Sequence, residues 1–275
     1  MRLSRSQRIS FLTKLLTENP FQLFSITEFG KRLGVSKSTI SEDISLIRDV
    51  FASKQEGKVE TFTGASGGVW YVPELSSGAI RNKLEELCLE LKKTERILPG
   101  DFLYLTDIIF SPDWAWNLGV IFASKILPRR PDYLMTMETK GIPLAMMTAR
   151  VLNCPLVTVR KSKRITEGSV VSINYVSGSS GKIETMFLSR RAFKKDSSVF
   201  IIDDFMRAGG TARGMRDLVK EFEAKLLGIG VLVATAEPEQ KLVDDYFSLL
   251  QLKKVDQRKG IIDIRPGEWI DSRDQ

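Results

Sequence analysis

Asp203 and Asp204 stand side by side at the end of an apolar run, Val199 to Ile202, and a glycine pair, Gly209 and Gly210, follows shortly after. Phe205, Met206, Arg207 and Ala208 fill the gap between acids and glycines, and Thr211 closes the segment. Adjacent carboxylates at a strand end accept hydrogen bonds from two neighbouring sugar hydroxyls. A glycine-rich loop at a helix N-terminus presents bare amides to a phosphate, with the helix dipole behind them. Met215, Leu218, Val219 and Phe222 place such a helix from about residue 211. A ribose 5-phosphate supplies both chemical halves at the separation this segment allows. Neither the Walker A spacing nor the dinucleotide fingerprint is present.

What is missing narrows the chemistry further. The chain has no histidine, which removes Ser-His-Asp and Cys-His catalysis and the commonest general base. Cys88 and Cys154 are isolated, so they form no metal-ligand spacing and no disulfide framework, and they read as apolar filler. No catalytic residue, metal site or resident cofactor is assigned. Among 275 residues no apolar run approaches the ~20 that a membrane span needs, and no signal core follows Met1. We expect a soluble, cytoplasmic protein without a membrane partner.

The elements around the acid pair alternate between strand and helix, the pattern of a parallel α/β sheet. Residues 132–137 form a strand. Glu138, Thr139, Lys140, Gly141, Ile142 and Pro143 turn into a helix over residues 144–152. A further strand, 156–159, delivers Arg160 and Lys161. Residues 170–175 and 182–189 make a long hairpin with a Gly/Ser-rich tip, suited to a mobile lid. The net charge is +7, and the nine Lys/Arg between Arg160 and Lys195, set against Glu167 and Glu184, carry that whole excess. The charge fits an anionic ligand or nucleic acid. The plainer alternative for these residues is a solvated surface.

The first 75 residues have another grammar. Ile9, Leu12, Leu15 and Leu16 share one face of a helix over residues 6–17, ended by Asn19 and Pro20. A second helix starts at Ser25, with Glu28 at capping-box spacing. Gly34 makes a turn. A third helix, 37–48, carries Ile40, Ile44 and Ile47 at helical spacing. Helix, glycine turn and helix form a helix-turn-helix. Ser36, Lys37, Ser38, Thr39 and Ser41 open the third helix with small polar and basic groups that approach phosphates and base edges freely, and Arg48 adds a cation. Two β-prone runs, 59–63 and 69–72, flank Gly64, Ala65, Ser66, Gly67 and Gly68, a wing whose tip offers bare amides. Gly64, Ser66 and Gly67 are therefore assigned to DNA with the helix residues. The plainer alternative is a winged helix used for protein contacts, which the small net charge of this part favours. Residues 79–98 read as one charged helix bearing Leu84, Leu87, Leu91 and Ile97. The breakers before it place the boundary between a head, 1–74, and a body, 75–275.

The acid-pair segment resembles the motif by which type I phosphoribosyltransferases bind 5-phosphoribosyl 1-pyrophosphate (PRPP). The loop around Thr139, Lys140 and Gly141 resembles the family's pyrophosphate loop, which implies a cis peptide near Thr139 and Lys140. The 170–189 hairpin resembles its flexible loop. The two parts together are similar to the purine operon repressors of Gram-positive bacteria, and the likeness spans nearly the whole chain. Residues 38–43, 64–68, 139–145 and 176–180 carry it besides the PRPP motif. It implies a winged helix-turn-helix head on a phosphoribosyltransferase-like α/β body, and a homodimer on double-stranded operator DNA. It also implies PRPP, with or without magnesium, as inducer, and a guanine alarmone as competitor. Asp203 and Asp204 would take the ribose hydroxyls. The amides of Ala208 to Gly210, with Thr211, would hold the 5-phosphate, and Phe205, Met206 and Arg207 are counted with the effector site. Thr139, Lys140 and Gly141, with Arg160 or Lys161, would hold the pyrophosphate, and Tyr175 would cover the ligand. Arg207 stands where many active enzymes have a small or acidic residue. The alternative function is an active purine phosphoribosyltransferase.

Overall fold

The structure is a computed structural model that describes residues 3–269 apart from residues 56, 65, 66, 128 and 178–180. Helix α1 (Arg5–Glu18) opens the chain, and Ser4 with Gln7 completes a capping box at its start. At α2 (Ile26–Leu33) the Ser25 hydroxyl accepts from the Glu28 amide, the backbone half of the pairing the sequence implied. Gly34 then turns with φ 64°. Helix α3 (Lys37–Lys54) outruns the expected 37–48, because Phe51 continues the stripe of Ile40, Ile44 and Ile47 into the head core. Strands β1 (Lys58–Phe62) and β2 (Gly68–Val72) pair antiparallel as the wing, and Phe24 adds a bridge to Val69. Leu12, Leu16, Phe29, Ile40, Ile44 and Val69 fill this small core. Inside it Asp43 is fully buried and takes Arg8 Nε at 2.8 Å and Nη2 at 3.3 Å, bracing α1 on α3.

The expected single helix over 79–98 is shorter in the structure. Helix α4 (Ser77–Leu91) is followed by a 3-10 turn, Thr94–Arg96, so Ile97 lies on a strand instead. The reason is Arg96. Its Nε donates to the Glu90 carbonyl at 3.0 Å, which closes the helix end and folds the chain back. Strands β3 (Ile97–Leu98) and β4 (Phe102–Leu103) form a short hairpin, and α5 (Thr106–Ile109) and α6 (Pro112–Ile126) follow.

The remaining elements build a six-stranded sheet, two helices and a separate two-stranded hairpin: β5 (Tyr133–Met137), α7 (Gly141–Leu152), β6 (Leu156–Val159), the hairpin β7 (Val170–Val176) and β8 (Ile183–Ser189), β9 (Ser198–Met206), α8 (Gly210–Glu221), β10 (Lys225–Thr235), β11 (Tyr246–Asp256) and β12 (Ile261–Pro266). The six-stranded order is β12-β11-β10-β9-β5-β6, parallel except for β12. Strand β9 alternates between two cores. Phe200 and Ile202 face α4, α6 and α7, whereas Val199 and Ile201 face α8 and the β7–β8 hairpin. Each fully buried leucine or isoleucine side chain here contributes roughly 1.5–3 kcal/mol. The chain leaves β5 for β6 on one side and β9 for β10 on the other. The switch point therefore lies between β5 and β9, where open parallel sheets bind ligands at their carboxyl ends.

Candidate functional site

Both loops at that switch point were flagged from sequence. Strand β9 runs on through the acid pair to Met206, so Asp203 and Asp204 are still strand residues. Asp203 is buried, and its Oδ1 accepts the Asp204 amide at 3.0 Å. Burial, reinforced by the Asp204 charge, raises the Asp203 carboxyl well above the usual carboxylate range. Gly209 then adopts φ 84°, and α8 starts at Gly210 without a side-chain cap. Helices α1, α2, α3, α4 and α6 all begin with a capping serine. At α8 the first-turn amides are left for an anion. The Ala208 carbonyl accepts the Leu242 amide at 2.9 Å, which ties the loop to the segment between β10 and β11.

The second loop has the same design. Helix α7 begins at Gly141, three residues earlier than expected, and its N-terminus is also uncapped by a side chain. The non-proline cis peptide lies between Glu138 and Thr139, one bond before the expected position. Gly141 must be glycine for steric reasons. A Cβ there would overlap the Thr136 hydroxyl and stand 3.2 Å from Asp203 Oδ1. The two anion loops therefore meet at the acid pair.

A cavity of about 580 Å³ opens over this junction. Lys140, Asp203, Asp204, Gly210 and Thr211 line its inner end, and Phe205, Met206, Arg207 and Gly209 also reach it. Of the other expected contacts, Thr139 is exposed beside the loop. Arg160 is committed elsewhere. Its Nη1 donates to Glu138 at 3.2 Å and its Nε to Glu167 at 3.3 Å. Burial opposes charge on Glu138, yet the Lys161 amide, at 2.6 Å, and Arg160 hold its carboxyl below the ordinary value. Lys161 stays exposed, and its charge reaches Asp203. Tyr175, on β7, is buried on the side of the hairpin that meets α8. Its hydroxyl donates to Glu184 at 2.8 Å and lies by Thr211. Burial, with the Glu184 bond added, pushes the phenol pKa up. The base of this hairpin is thus packed on α8, with Met186 and Leu188 in the core; its expected Gly/Ser tip includes residues 178–180, outside the described residues.

Sequence reasoning missed the outer end of the cavity. Phe102 and Leu103 from the β3–β4 hairpin face Leu252 and Val255 from β11, with Thr235 and Glu237 below. No local signal marks them. They meet because residues 97–103 and 252–255 come together across more than half of the chain.

In the head, a second groove separates α3 from the wing. Lys37, Ser41 and Arg48 line one side and Gly64 and Gly67 the other, together with Thr27, Ser45, Thr61 and Thr63, which the sequence did not single out. Ser36 serves the helix first, its hydroxyl accepting the Thr39 amide at 3.2 Å and contacting the hydroxyls of Ser38 and Thr39. The Gly67 amide donates to Gly64 at 3.1 Å. This wing amide is therefore not bare, contrary to expectation. Ser66 and Ala65 lie outside the described residues. The basic stretch is also less naked than its composition, since Arg164 stands 4.0 Å from Glu138 and Lys195 pairs with Glu223 at 2.6 Å. No helix among the described residues is long and apolar enough to cross a membrane.

Residues 4–73 match the family model described as bacterial purine repressor, N-terminal, and residues 118–264 match the phosphoribosyl transferase domain. The chain is 45% identical to the purine biosynthesis transcriptional repressor PurR of Bacillus subtilis (strain 168), over 98% of this chain and 95% of that protein. It is 38% identical to the purine biosynthesis transcriptional activator PurR of Lactococcus lactis subsp. lactis (strain IL1403), over 98% of this chain and all of that one. Among solved structures, adenine phosphoribosyltransferase from Thermoanaerobacter pseudethanolicus aligns with a TM-score of 0.54 and 20% identity, over 61% of this chain and 99% of the enzyme, a likeness of fold.

Proposed function

The chain belongs to the bacterial purine repressor family, a winged-helix head joined to a phosphoribosyltransferase-type body, and from that premise we propose that it represses purine biosynthesis genes as a homodimer on operator DNA, with PRPP as inducer. The observation that carries this reading is the acid pair at the end of β9 beside two uncapped helix N-termini in one cavity. Asp203 and Asp204 take the ribose hydroxyls. The amides at Gly209 to Thr211 take the 5-phosphate. Lys140 and the α7 amides take the pyrophosphate, with Lys161 as a nearby exposed cation and Arg160 holding Glu138 in place. A magnesium ion would arrive on the diphosphate, and the acid pair fits the adjoining sugar.

In the head, Lys37 and Arg48 take DNA phosphates, and Ser38, Thr39, Ser41 and the wing line the duplex. PRPP brings several negative charges close to the basic surface of the body, so operator and ligand oppose each other through linkage. A guanine alarmone carries phosphates as well as an aromatic ring, and Phe102, Leu103, Leu252 and Val255, with Lys253 and Lys254 beside them, suit that ring and its charges. We assign the pocket to sensing without turnover. Arg207 at its lip adds a fixed cation that strengthens anion binding and replaces the small or acidic residue usual in the enzymes.

A gel shift on a purine-operon promoter tests the core of this. PRPP with magnesium should release the DNA, and failure to do so at saturating ligand would remove PRPP from the scheme. Incubation with magnesium, PRPP and each purine base tests the second part, because steady pyrophosphate release would make the chain a transferase.

A further inference from the structure

The outer wall of the cavity is built from very little. Strands β3 and β4 pair through two residues each, and a two-stranded hairpin of that size has no stability of its own. Its turn needs Gly100 at φ 86° and Asp101 at φ 60°. The hairpin nevertheless presents Phe102 and Leu103 to the cavity, opposite Val255. Its position comes from outside, at both ends.

At the tip, the Gln257 amide donates to Asp101 Oδ1 at 2.8 Å and the Gly100 amide donates to Gln257 Oε1 at 3.4 Å. The base is held more firmly. Arg96 is only 6% exposed. Its Nη1 and Nη2 grip both oxygens of Asp107 at 2.8 Å each, and Nη2 also reaches Glu90 Oε1 at 2.7 Å. Nε and Nη1 take the Glu90 and Tyr104 carbonyls at 3.0 and 3.3 Å, so the guanidinium spans the end of α4, the start of α5 and the exit of β4. The Tyr104 amide returns a bond to the Arg96 carbonyl at 2.8 Å. Asp107 first, and then Glu90, raises the guanidinium pKa further, so the charge is permanent. Bidentate pairs of this kind fix direction as well as energy. A buried ion pair seldom stabilises a fold more than apolar packing of similar volume. Its yield here is geometric.

We propose that Arg96 is a positioning residue for ligand discrimination, holding the β3–β4 hairpin as the wall against which the purine ring of a nucleotide packs, without touching the ligand itself. The proposal rests on the effector-site reading above. It deepens that reading, because the ribose and phosphate contacts lie at the other end of the cavity on β9, α7 and α8. Neither Arg96 nor its partners Glu90 and Asp107 line the cavity. An effect confined to the ring can reach the ligand only through the hairpin.

The test compares ribose 5-phosphate with guanosine 5′-monophosphate, which differ only by the base, by calorimetric titration of the full chain. The wild-type chain should bind the nucleotide more tightly. In Arg96→Lys the nucleotide should weaken about 10-fold, while ribose 5-phosphate changes by less than about 2-fold; a tenfold change corresponds to about 1.4 kcal/mol. Asp107→Asn, at a half-exposed carboxylate, should give a smaller loss of the same selective kind and serves if the first variant folds poorly. Retained preference for the nucleotide in both variants overturns the proposal, and so does an equal weakening of both ligands, which marks a structural role only. If neither probe binds the wild-type chain, the effector-site reading falls and takes this proposal with it.

Discussion

On the proposed reading the head groove and the body cavity both face phosphate, yet they are made from different materials. The groove offers side chains: Lys37, Ser41 and Arg48 on α3, with threonines from the wing. The cavity offers mainly backbone, the first turns of α7 and α8, with an acid pair of which Asp203 is buried. Side-chain contacts are separable and act in parallel, so losing one weakens binding by a fraction. A backbone cradle has no side chain to delete. It fails when an atom is added, or when the acids that flank it are lost. The difference suits the two ligands, because a duplex presents many equivalent phosphates and a phosphorylated sugar presents few.

The largest effect should come from Asp203→Ala. It should abolish the response of operator binding to PRPP while operator affinity in the absence of ligand stays within about 2-fold, as a gel shift series would read (about 0.4 kcal/mol). Lost operator binding would mean that the two sites are not separate. Gly141→Ala tests the claim that the cradle fails by addition. The new methyl overlaps Thr136 and crowds Asp203, which should cost roughly 1–3 kcal/mol of stability in denaturant melts and eliminate the PRPP response. An unaltered response would show that the α7 loop stands apart from the ligand.

Asp203→Asn sharpens the contrast in another direction. The folded pKa of Asp203 is raised above its unfolded value of about 3.9. Its stability contribution is therefore complete below the unfolded value and declines as pH rises through the folded one. Removing the charge should raise Tm at pH 8 by about 2–4 °C, the shift that ~1 kcal/mol produces at this chain size, and the gain should vanish near pH 4. A constant gain across that range would deny the burial penalty. The smallest effect belongs to the groove. Lys37→Ala or Arg48→Ala should weaken operator binding modestly and reduce the salt slope by about 0.9 per lost phosphate contact. An unchanged slope removes that residue from the phosphate contacts.

The same contrast explains what the sequence made legible. The acid pair, Gly209, Gly210 and the loop at Gly141 are local patterns of strand, turn and helix, and they stand where the spacing implied. Helix α3 was equally legible from Ile40, Ile44 and Ile47. The β3–β4 wall was hidden, because nothing near residues 97–103 announces a partner at residues 252–255. Arg96 in a charged run reads as an exposed helical residue, and only its five hydrogen bonds turn the chain at Leu91. Arg160 is a related case. Sequence shows its charge but not that Glu138 and Glu167 take up its guanidinium.

Phe21 and Val72 belong by sequence to the head, yet they are buried in one cluster with Ile80, Leu84 and Leu118 of the body. Arg130 lies over the Phe21 ring at 5.3 Å, and the Arg150 guanidinium donates to the Glu18 carbonyl. A cut after residue 74 would therefore not release two finished modules. Each fragment would bear a greasy scar, prone to self-association. Heated intact, the molecule should absorb its unfolding heat in a single peak, with head and body lost together.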